Sequence, residues 1–444
     1  MDYEPLYSES RAQALASFQA AYSRPIASPQ ASAPLYGLGN PYGATYFGQE
    51  SATASRSVSA SRPPAATPVA APMAPAAAPV AATSLAPASA TSNRPLKLAH
   101  VGPCFMCGGV EQHTLSLAKF MNPRRVQFVK CLVTNPKLLS QESAAWMPVP
   151  VEYCDPANVS RAVADCDVVL LWGDGFNEIL KPSRPQLSIF VAHGESWWTR
   201  QTIDQSLRVI DHVVAVSQRV QDRVCSGVPS TMILNGVDAA RLSQTRPRDA
   251  VRSRLGFSPT DYVLGSVGRF SNEKRMPLLI DAMTRLPAHF KLLLVGHGAR
   301  RHELLDLAND LIPGRYAIAT ADNYLGDFYR AMDAFALVSE HEGFGLVIPE
   351  AMLCERPVIV TDVGCVPEII RDRVNGLVVN PTPQQIADAV RMLQEHPEWA
   401  KGLAAEGRAV ADARLHAARM AREYEDLLWQ LWQAKSPAKL GTAS

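Results

Sequence analysis

From Leu96 onward the chain repeats one pattern: a short, near-continuous apolar run, then a loop, then a longer stretch with helical spacing of apolar positions. The first series places strands at residues 96–101, 126–133, 168–171, 187–192 and 213–217. A helix is predicted over 110–121, with Leu115, Leu117, Ala118, Phe120 and Met121 as its apolar side. After the charged stretch 241–254 a second series begins, with strands at 262–267, 290–295, 334–338, 357–361 and 376–379. Helices are predicted around 277–286, 303–311, 384–393 and 417–432. Strands apolar on both faces, alternating with helices, imply parallel sheets covered on both sides. The expected fold class is therefore α/β, with two doubly wound Rossmann-like domains, over 95–245 and 246–415, facing an interdomain cleft. A C-terminal helix over 416–433 is expected to pack back on the first domain, followed by a short tail over 434–444. Ligands of such folds sit outside the carboxyl ends of the strands, which directs attention to the cleft.

Composition changes the picture only at the ends. Ala, Pro, Ser and Thr dominate 51–92, so residues 1–94 bury too little apolar surface to offset ordering and read as a disordered tail. The first fifty residues nevertheless hold six of the twelve tyrosines, which leaves open a segment for protein association. A formal net charge of +1 gives no field that would draw nucleic acid. Eight cysteines without a repeated spacing fit buried thiols in a reducing compartment. Met1-Asp-Tyr-Glu-Pro-Leu6 lacks a secretory pattern, and the apolar windows are strand-sized, so the expected location is cytoplasmic.

Chemistry concentrates at predicted strand ends. Ser339-Glu-His-Glu-Gly-Phe-Gly-Leu-Val-Ile-Pro-Glu350 follows the strand 334–338. Gly343 and Gly345 favour an irregular turn where backbone can approach a ligand, and Pro349 suits a first helical position. That separates Glu342, in a loop, from Glu350, at a helix start. A helix-dipole role would account for Glu350 but not for the glycine loop and its second carboxylate. Gly268-Arg269 to Lys274 follows another strand and offers a fork and a point charge to an anion. Gly108-Gly109 opens the first helix, where backbone N–H groups can meet an anion. His193 ends the strand 187–192 on the side of the cleft.

The Glu342-to-Glu350 segment resembles the Glu-x7-Glu signature of the retaining glycosyltransferases of family 4, which have the GT-B fold; the likeness spans about residues 96–432. The resemblance implies that Glu342 lies against the donor sugar and that Glu350 binds the ribose hydroxyls, with Gly343, Phe344, Gly345 and Leu346 as the donor loop between them. Arg269 and Lys274 match the family's diphosphate-binding pair. Gly108 and Gly109 match its glycine loop at the diphosphate and acceptor, and His193 matches its histidine beside the donor sugar. Gly296 would line the nucleotide pocket. The segment 357–368 is similar to the family's following strand and loop, departing from it at Cys365, where a residue such as Gly is usual.

The activity implied by the resemblance is transfer of a sugar from a UDP- or GDP-linked donor to a hydroxyl acceptor with retention of configuration. No cofactor and no metal are required. Retention by double displacement needs a paired carboxylate at about 5 Å, and none is nominated, so same-face attack assisted by the leaving phosphate is expected. The catalytic set is Glu342, His193, Arg269 and Lys274. Peripheral membrane contact is common in the family, but no basic amphipathic helix marks it here. Two alternatives stay open: a non-catalytic glycosyltransferase-like scaffold, and a nucleotide-sugar epimerase of GT-B architecture. A dehydrogenase is excluded for want of the three-glycine fingerprint. Asp165-Cys-Asp167 and Cys104-x-x-Cys107 read as structural, not as metal sites. Trp197 and Trp198 read as core aromatics, with an acceptor floor as the alternative. A donor at a hundred times its dissociation constant should stabilise the protein by about 2.7 kcal/mol. A thermal-shift screen of UDP, GDP, ADP and their sugars checks this, and a flat screen would remove the donor site.

Overall fold

The computed structural model describes residues 94–106, 108–174, 176–180, 186–320 and 325–435. All but the last residue of the tail expected over 1–94 and all but the first two of that expected over 434–444 lie outside the described residues. Strands β1 (Leu96–Gly102), β2 (Val126–Val133), β3 (Val151–Tyr153), β4 (Val168–Leu171), β5 (Leu187–Ala192), β6 (His212–Ala215) and β7 (Ser230–Met232) form a seven-stranded sheet in the order β3-β2-β1-β4-β5-β6-β7. Strands β8 (Tyr262–Val267), β9 (Phe290–Val295), β10 (Tyr316–Ala319), β11 (Ala334–Leu337), β12 (Val358–Val360) and β13 (Leu377–Val378) form a six-stranded sheet in the order β10-β9-β8-β11-β12-β13. Every described pairing is parallel. Both sheets reverse direction beside their first strand, at β1/β4 and β8/β11, so the loops after β1, β8 and β11 occupy the two switch points. This is the GT-B arrangement of two Rossmann-like domains.

The strands that apolar runs did not announce are edge strands. β3, β7 and β10 are half-buried or exposed along their length, so they carry no continuous apolar run. An unannounced helix, Pro397–Arg414, buries Ala400, Leu403, Ala404, Gly407 and Ala411. Its buried stripe is built mostly of small residues, which weakens its hydrophobic periodicity. The helix Gly109–Phe120 departs from expectation in another way. Of its expected apolar side only Leu117 is buried within the helix, while Glu111, His113 and Thr114 also face inward. Thr114 Oγ1 lies 3.1 Å from His100 Nε2 of β1, and His113 Nε2 lies 3.0 Å from the Tyr424 hydroxyl.

Tyr424 belongs to the helix Ala417–Lys435, which returns to the first sheet. Glu425 of that helix accepts from the Asn122 amide at 2.6 Å and pairs with Arg125 at 3.1 Å, and Lys435 pairs with Asp211. The chain thus crosses between the domains twice. The two crossings run side by side, with Val237 N donating to Leu415 O and Ala417 N donating to Val237 O. A Cβ on Gly236 would fall 2.5 Å from His416 O, so the crossings touch through bare backbone there.

The first crossing continues to Thr245 and Arg246, which Asp327 anchors to the second domain. The Asp327 carboxylate accepts from Thr245 N and Oγ1, both at 2.7 Å, and from Arg246 Nε at 2.8 Å. Burial works against the charged form, but the hydrogen bonds from Arg246 and Thr245 prevail and hold its pKa down at about 2. A depressed folded pKa means that this stabilisation is present above the unfolded value near 3.8 and is lost as pH falls through about 2. Asp327→Asn should therefore cost about 2 kcal/mol at neutral pH and flatten the acid limb of the stability curve between roughly pH 4 and pH 2. Denaturant melts across that window check it.

Candidate functional site

Two loops of the second domain build one wall of the cleft. After β8, Gly268 takes φ +154° and the chain runs through Arg269 to a short 3-10 turn, Asn272–Lys274. After β11, Ser339 leads into Glu342 and the helix Val347–Leu353. The loops are tied by Glu340 N donating to Glu273 O at 2.7 Å and by the Arg275–Glu340 pair at 3.0 Å. The closest tie is Lys274 Nζ to Glu342 Oε1, at 2.5 Å, with Ser339 Oγ donating to the same oxygen at 2.8 Å. Arg269 is looser. More than half of its side chain is exposed, and its nearest carboxylate, Glu273, is 3.9 Å away. Burial and then Glu111 push the Cys104 thiol up, and the charge of Arg269 pulls the other way.

Glu350 lies deeper. The helix begins at Val347, two residues before the expected start, and Pro349 is tolerated because first-turn N–H groups have no intrahelical partner. Glu350 accepts from the Tyr329 hydroxyl at 2.8 Å and stands 3.6 Å from Arg241. Burial pushes its pKa up, against the opposing pull of Arg241 and Tyr329. Arg241 also borders a cavity of about 390 Å³ with Leu115, Lys119, Trp146, Asp238 and Leu325. The cavity's two cations are each placed beside a carboxylate, Lys119 with Asp238 at 2.6 Å and Arg241 with Glu350.

The first domain supplies the facing wall. Gly109 looks across at Leu346: a Cβ on the glycine would stand 3.7 Å from Leu346 Cδ1. Glu111 accepts from Met106 N at 3.0 Å, fixing the loop after β1. Past the end of β5, His193 has a buried Nε2 without a partner among the described residues. Burial, reinforced by His100, lowers its pKa to about 3, so the ring is neutral at ordinary pH.

The two walls meet at the glycine loop. A Cβ on Gly343 would fall 1.7 Å from His193 O, and Ser217 Oγ donates to Gly343 O at 2.8 Å. Gln218 N donates to Glu368 at 2.6 Å, and Arg219 pairs with Asp362 at 2.8 Å. Thus Arg269, Lys274, Glu342, Gly343, His193, Gly109 and Leu346 converge on the cleft, with Gly108 on the same loop as Gly109.

Other expected site residues are placed differently. The Phe344 side chain is in the core, leaving only its backbone to the loop. Gly345 adopts φ +87° and serves the turn. Gly296 is packed against the loop after β8, where a Cβ would fall 1.9 Å from Gly268 O. The place that demands a glycine after β12 is Gly364, at φ +53° with a built Cβ 2.5 Å from Phe344 O. Cys365 is buried beside it and donates its amide to Phe344 O at 3.0 Å, so the thiol fits where only a small residue was expected. Trp197 corrects the core expectation: it is 77% exposed at the start of the helix Trp197–Ser206. Asp167 accepts from Arg94 and from Lys97 N, and Asp165 pairs with Lys130, so both carboxylates are structural. Cys107 lies outside the described residues. Among those described, no group of three His, Cys, Asp or Glu could hold a metal ion, and no helix is long and apolar enough to cross a membrane.

Residues 247–410, which carry Arg269, Lys274 and both glutamates, match the family of glycosyl transferases group 1. The chain carries a group 1 glycosyl transferase domain. Over 173 residues it is 31% identical to the lipopolysaccharide core biosynthesis mannosyltransferase LpsB of Rhizobium meliloti (strain 1021), covering 37% of this chain and 49% of that protein. Over 183 residues it is 36% identical to a D-inositol 3-phosphate glycosyltransferase of Rhodococcus opacus (strain B4), covering 38% and 41%. The chain therefore spans about half or less of the length of these curated relatives. In fold it is similar to Anabaena HepE crystallised with UDP-glucose, with a TM-score of 0.65 at 21% identity, over 76% of this chain and all of that one. Sucrose-phosphate synthase from Thermosynechococcus elongatus gives 0.61 at 20% identity, again over 76% of this chain and all of that one. These two likenesses extend over both sheets, whereas the family match covers the second.

Sequence reasoning passed over Arg241 and Tyr329 beside Glu350, and Ser217 beside Gly343. None stands in a motif. Their only signal is proximity after folding. Gly343→Ala should force the walls apart, because the new methyl would occupy the place of the His193 carbonyl. A fluorescence pair spanning the cleft checks this. An unchanged distance would mean that the loop, not the domains, yields.

Proposed function

We propose that this chain transfers a sugar from a nucleoside diphosphate donor to a hydroxyl acceptor with retention of anomeric configuration. The observation that carries the proposal is the meeting of Lys274, Glu342 and the His193 strand end around Gly343, with Arg269 exposed beside them. Breaking the anomeric C–O bond moves charge onto the diphosphate. Arg269 and Lys274 supply that charge's partners without reorganisation at the moment of reaction. The Lys274–Glu342 contact holds the ammonium in place before the donor arrives and sets Glu342 against the sugar. His193 offers its unpartnered Nε2 to a sugar hydroxyl as a neutral ring. Glu350, with burial favouring its uncharged form, suits the ribose hydroxyls. On the acceptor side, the acceptor oxygen bonds to the anomeric carbon on the face the diphosphate leaves, and its proton passes to the departing phosphate oxygen. Backbone of Gly108, Gly109 and Leu346 borders that exchange.

The division of labour that accompanies this proposal gives the donor to the second domain and the acceptor to the first. The residues after 415 serve the first domain. Solved relatives hold UDP and UDP-glucose, so UDP-linked hexoses are the first donors to try, with GDP-linked hexoses beside them. Glycolipid, polysaccharide and glycoconjugate acceptors, a cytoplasmic setting with peripheral membrane contact, and association through residues 1–94 belong to the same proposal.

Lys274→Ala should lower kcat for donor turnover by about a hundredfold, the scale of losing one charge-stabilising donor. Far-ultraviolet dichroism should be unchanged, because the residue sits in a loop. Turnover to the acceptor, or leakage of sugar to water, is the measurement. An unaltered kcat would take Lys274 out of the site.

A further inference from the structure

His193 is gripped from two sides in the first domain. Its ring meets the ring of Trp172 at 6.2 Å and 89°, and that of His113 at 4.9 Å and 80°. His113 comes from the helix Gly109–Phe120, is 1% exposed, and has a buried Nδ1 without a partner among the described residues. Its Nε2 is hydrogen-bonded to the fully buried Tyr424 hydroxyl at 3.0 Å, and the Tyr424 ring stacks edge-on at 5.4 Å. A histidine on the buried side of a helix would ordinarily be explained by satisfied hydrogen bonds, but half of this one's capacity is unmet. Its ring packs edge-on against the next ring. That ring ends in the other orphaned nitrogen, His193 Nε2.

We infer that His113 and Tyr424 are positioning residues that fix the His193 ring from the far side of the first domain, linking the C-terminal helix to the nitrogen proposed to meet the donor sugar. The inference rests on the proposed function for the meaning of His193, but not for the ring geometry. Tyr424 is held in place independently of His113. Its neighbour Glu425 grips Asn122 N and Arg125, and Trp429 Nε1 donates to Arg125 O at 3.2 Å. The hydroxyl therefore reaches His113 from a helix whose position does not depend on that bond. A displaced His113 leaves the His193 ring packed on one side only, free to turn about its side-chain torsions. An approach that requires Nε2 at hydrogen-bond distance in the transition state would suffer from that freedom more than ground-state binding would.

The test uses the full chain. Histidine labelled with nitrogen-15 reports the imidazole nitrogens of His193, assigned by its absence in His193→Ala, and Tyr424→Phe removes one hydroxyl without changing the ring that fills the core. The expected result is a shifted His193 imidazole signal in Tyr424→Phe, together with a kcat for UDP-sugar turnover lowered about tenfold, roughly the scale of losing one hydrogen bond, and an unchanged donor KM. His113→Gln, which keeps a polar group facing Tyr424, should retain more kcat than His113→Leu. An unmoved His193 signal in Tyr424→Phe would overturn the inference whether or not the chain turns over sugar, since the spectrum is read without substrate. Equal losses in kcat, UDP affinity and Tm would overturn it too, as those of a packing residue. A wild-type protein that turns over no donor, but whose His193 signal moves, would sink the functional proposal and leave the ring linkage standing.

Discussion

The carbonyl of His193 and the α-carbon of Gly343 stand so close that no side chain fits between them, and the cleft takes its shape from that approach. The loops that carry the rest of the site, after β1 and β8, border the same cleft. On one wall, β5 ends at the histidine; on the other, the loop after β11 carries Glu342 on one side of the glycine and the helix of Glu350 on the other. The contact is backbone to backbone, so it can form and part without repacking a core. The polar pairs around it, Gln218 with Glu368 and Arg219 with Asp362, are exposed at least in part and worth little individually. A joint of this kind holds a geometry without a large binding energy, as the proposed admission of a donor requires.

Much of this was legible beforehand, for a physical reason. Central strands of a parallel sheet are buried on both faces and leave apolar runs, so β1, β8 and β9 could be read almost to the residue. A glycine forced by backbone geometry, such as Gly343, leaves an equally plain mark. The parts that escaped lack either signature. Edge strands are half wet, and the helix Pro397–Arg414 packs through alanines. Arg241 and Tyr329 reach Glu350 from distant segments, and no spacing announces a contact that only the folded chain makes.

The helix Gly109–Phe120 shows the limit of hydrophobic counting most directly. Its apolar residues Leu115 and Phe120 are only partly buried, while His113, Thr114 and Glu111 are enclosed. The inversion is tolerated because Thr114 bonds His100 and Tyr424 bonds one of the two His113 nitrogens, and because burial keeps both histidines neutral. A stripe of polar groups thus replaces the oily seam that a helix on a sheet usually buries. Such a stripe favours one register over others, since a slip would strand several donors and acceptors at once.

The double crossing between the domains also bears on the order in which the protein is made. Domains emerge and fold from the N-terminus during synthesis, yet the first domain here lacks Tyr424, Glu425 and Trp429 until the whole second domain has been made. The second domain, whose strands end with β13, has every strand in hand earlier. On the ribosome the later domain is therefore the first that can be completed. The earlier one waits, with His113 and Asn122 uncovered, for the helix Ala417–Lys435.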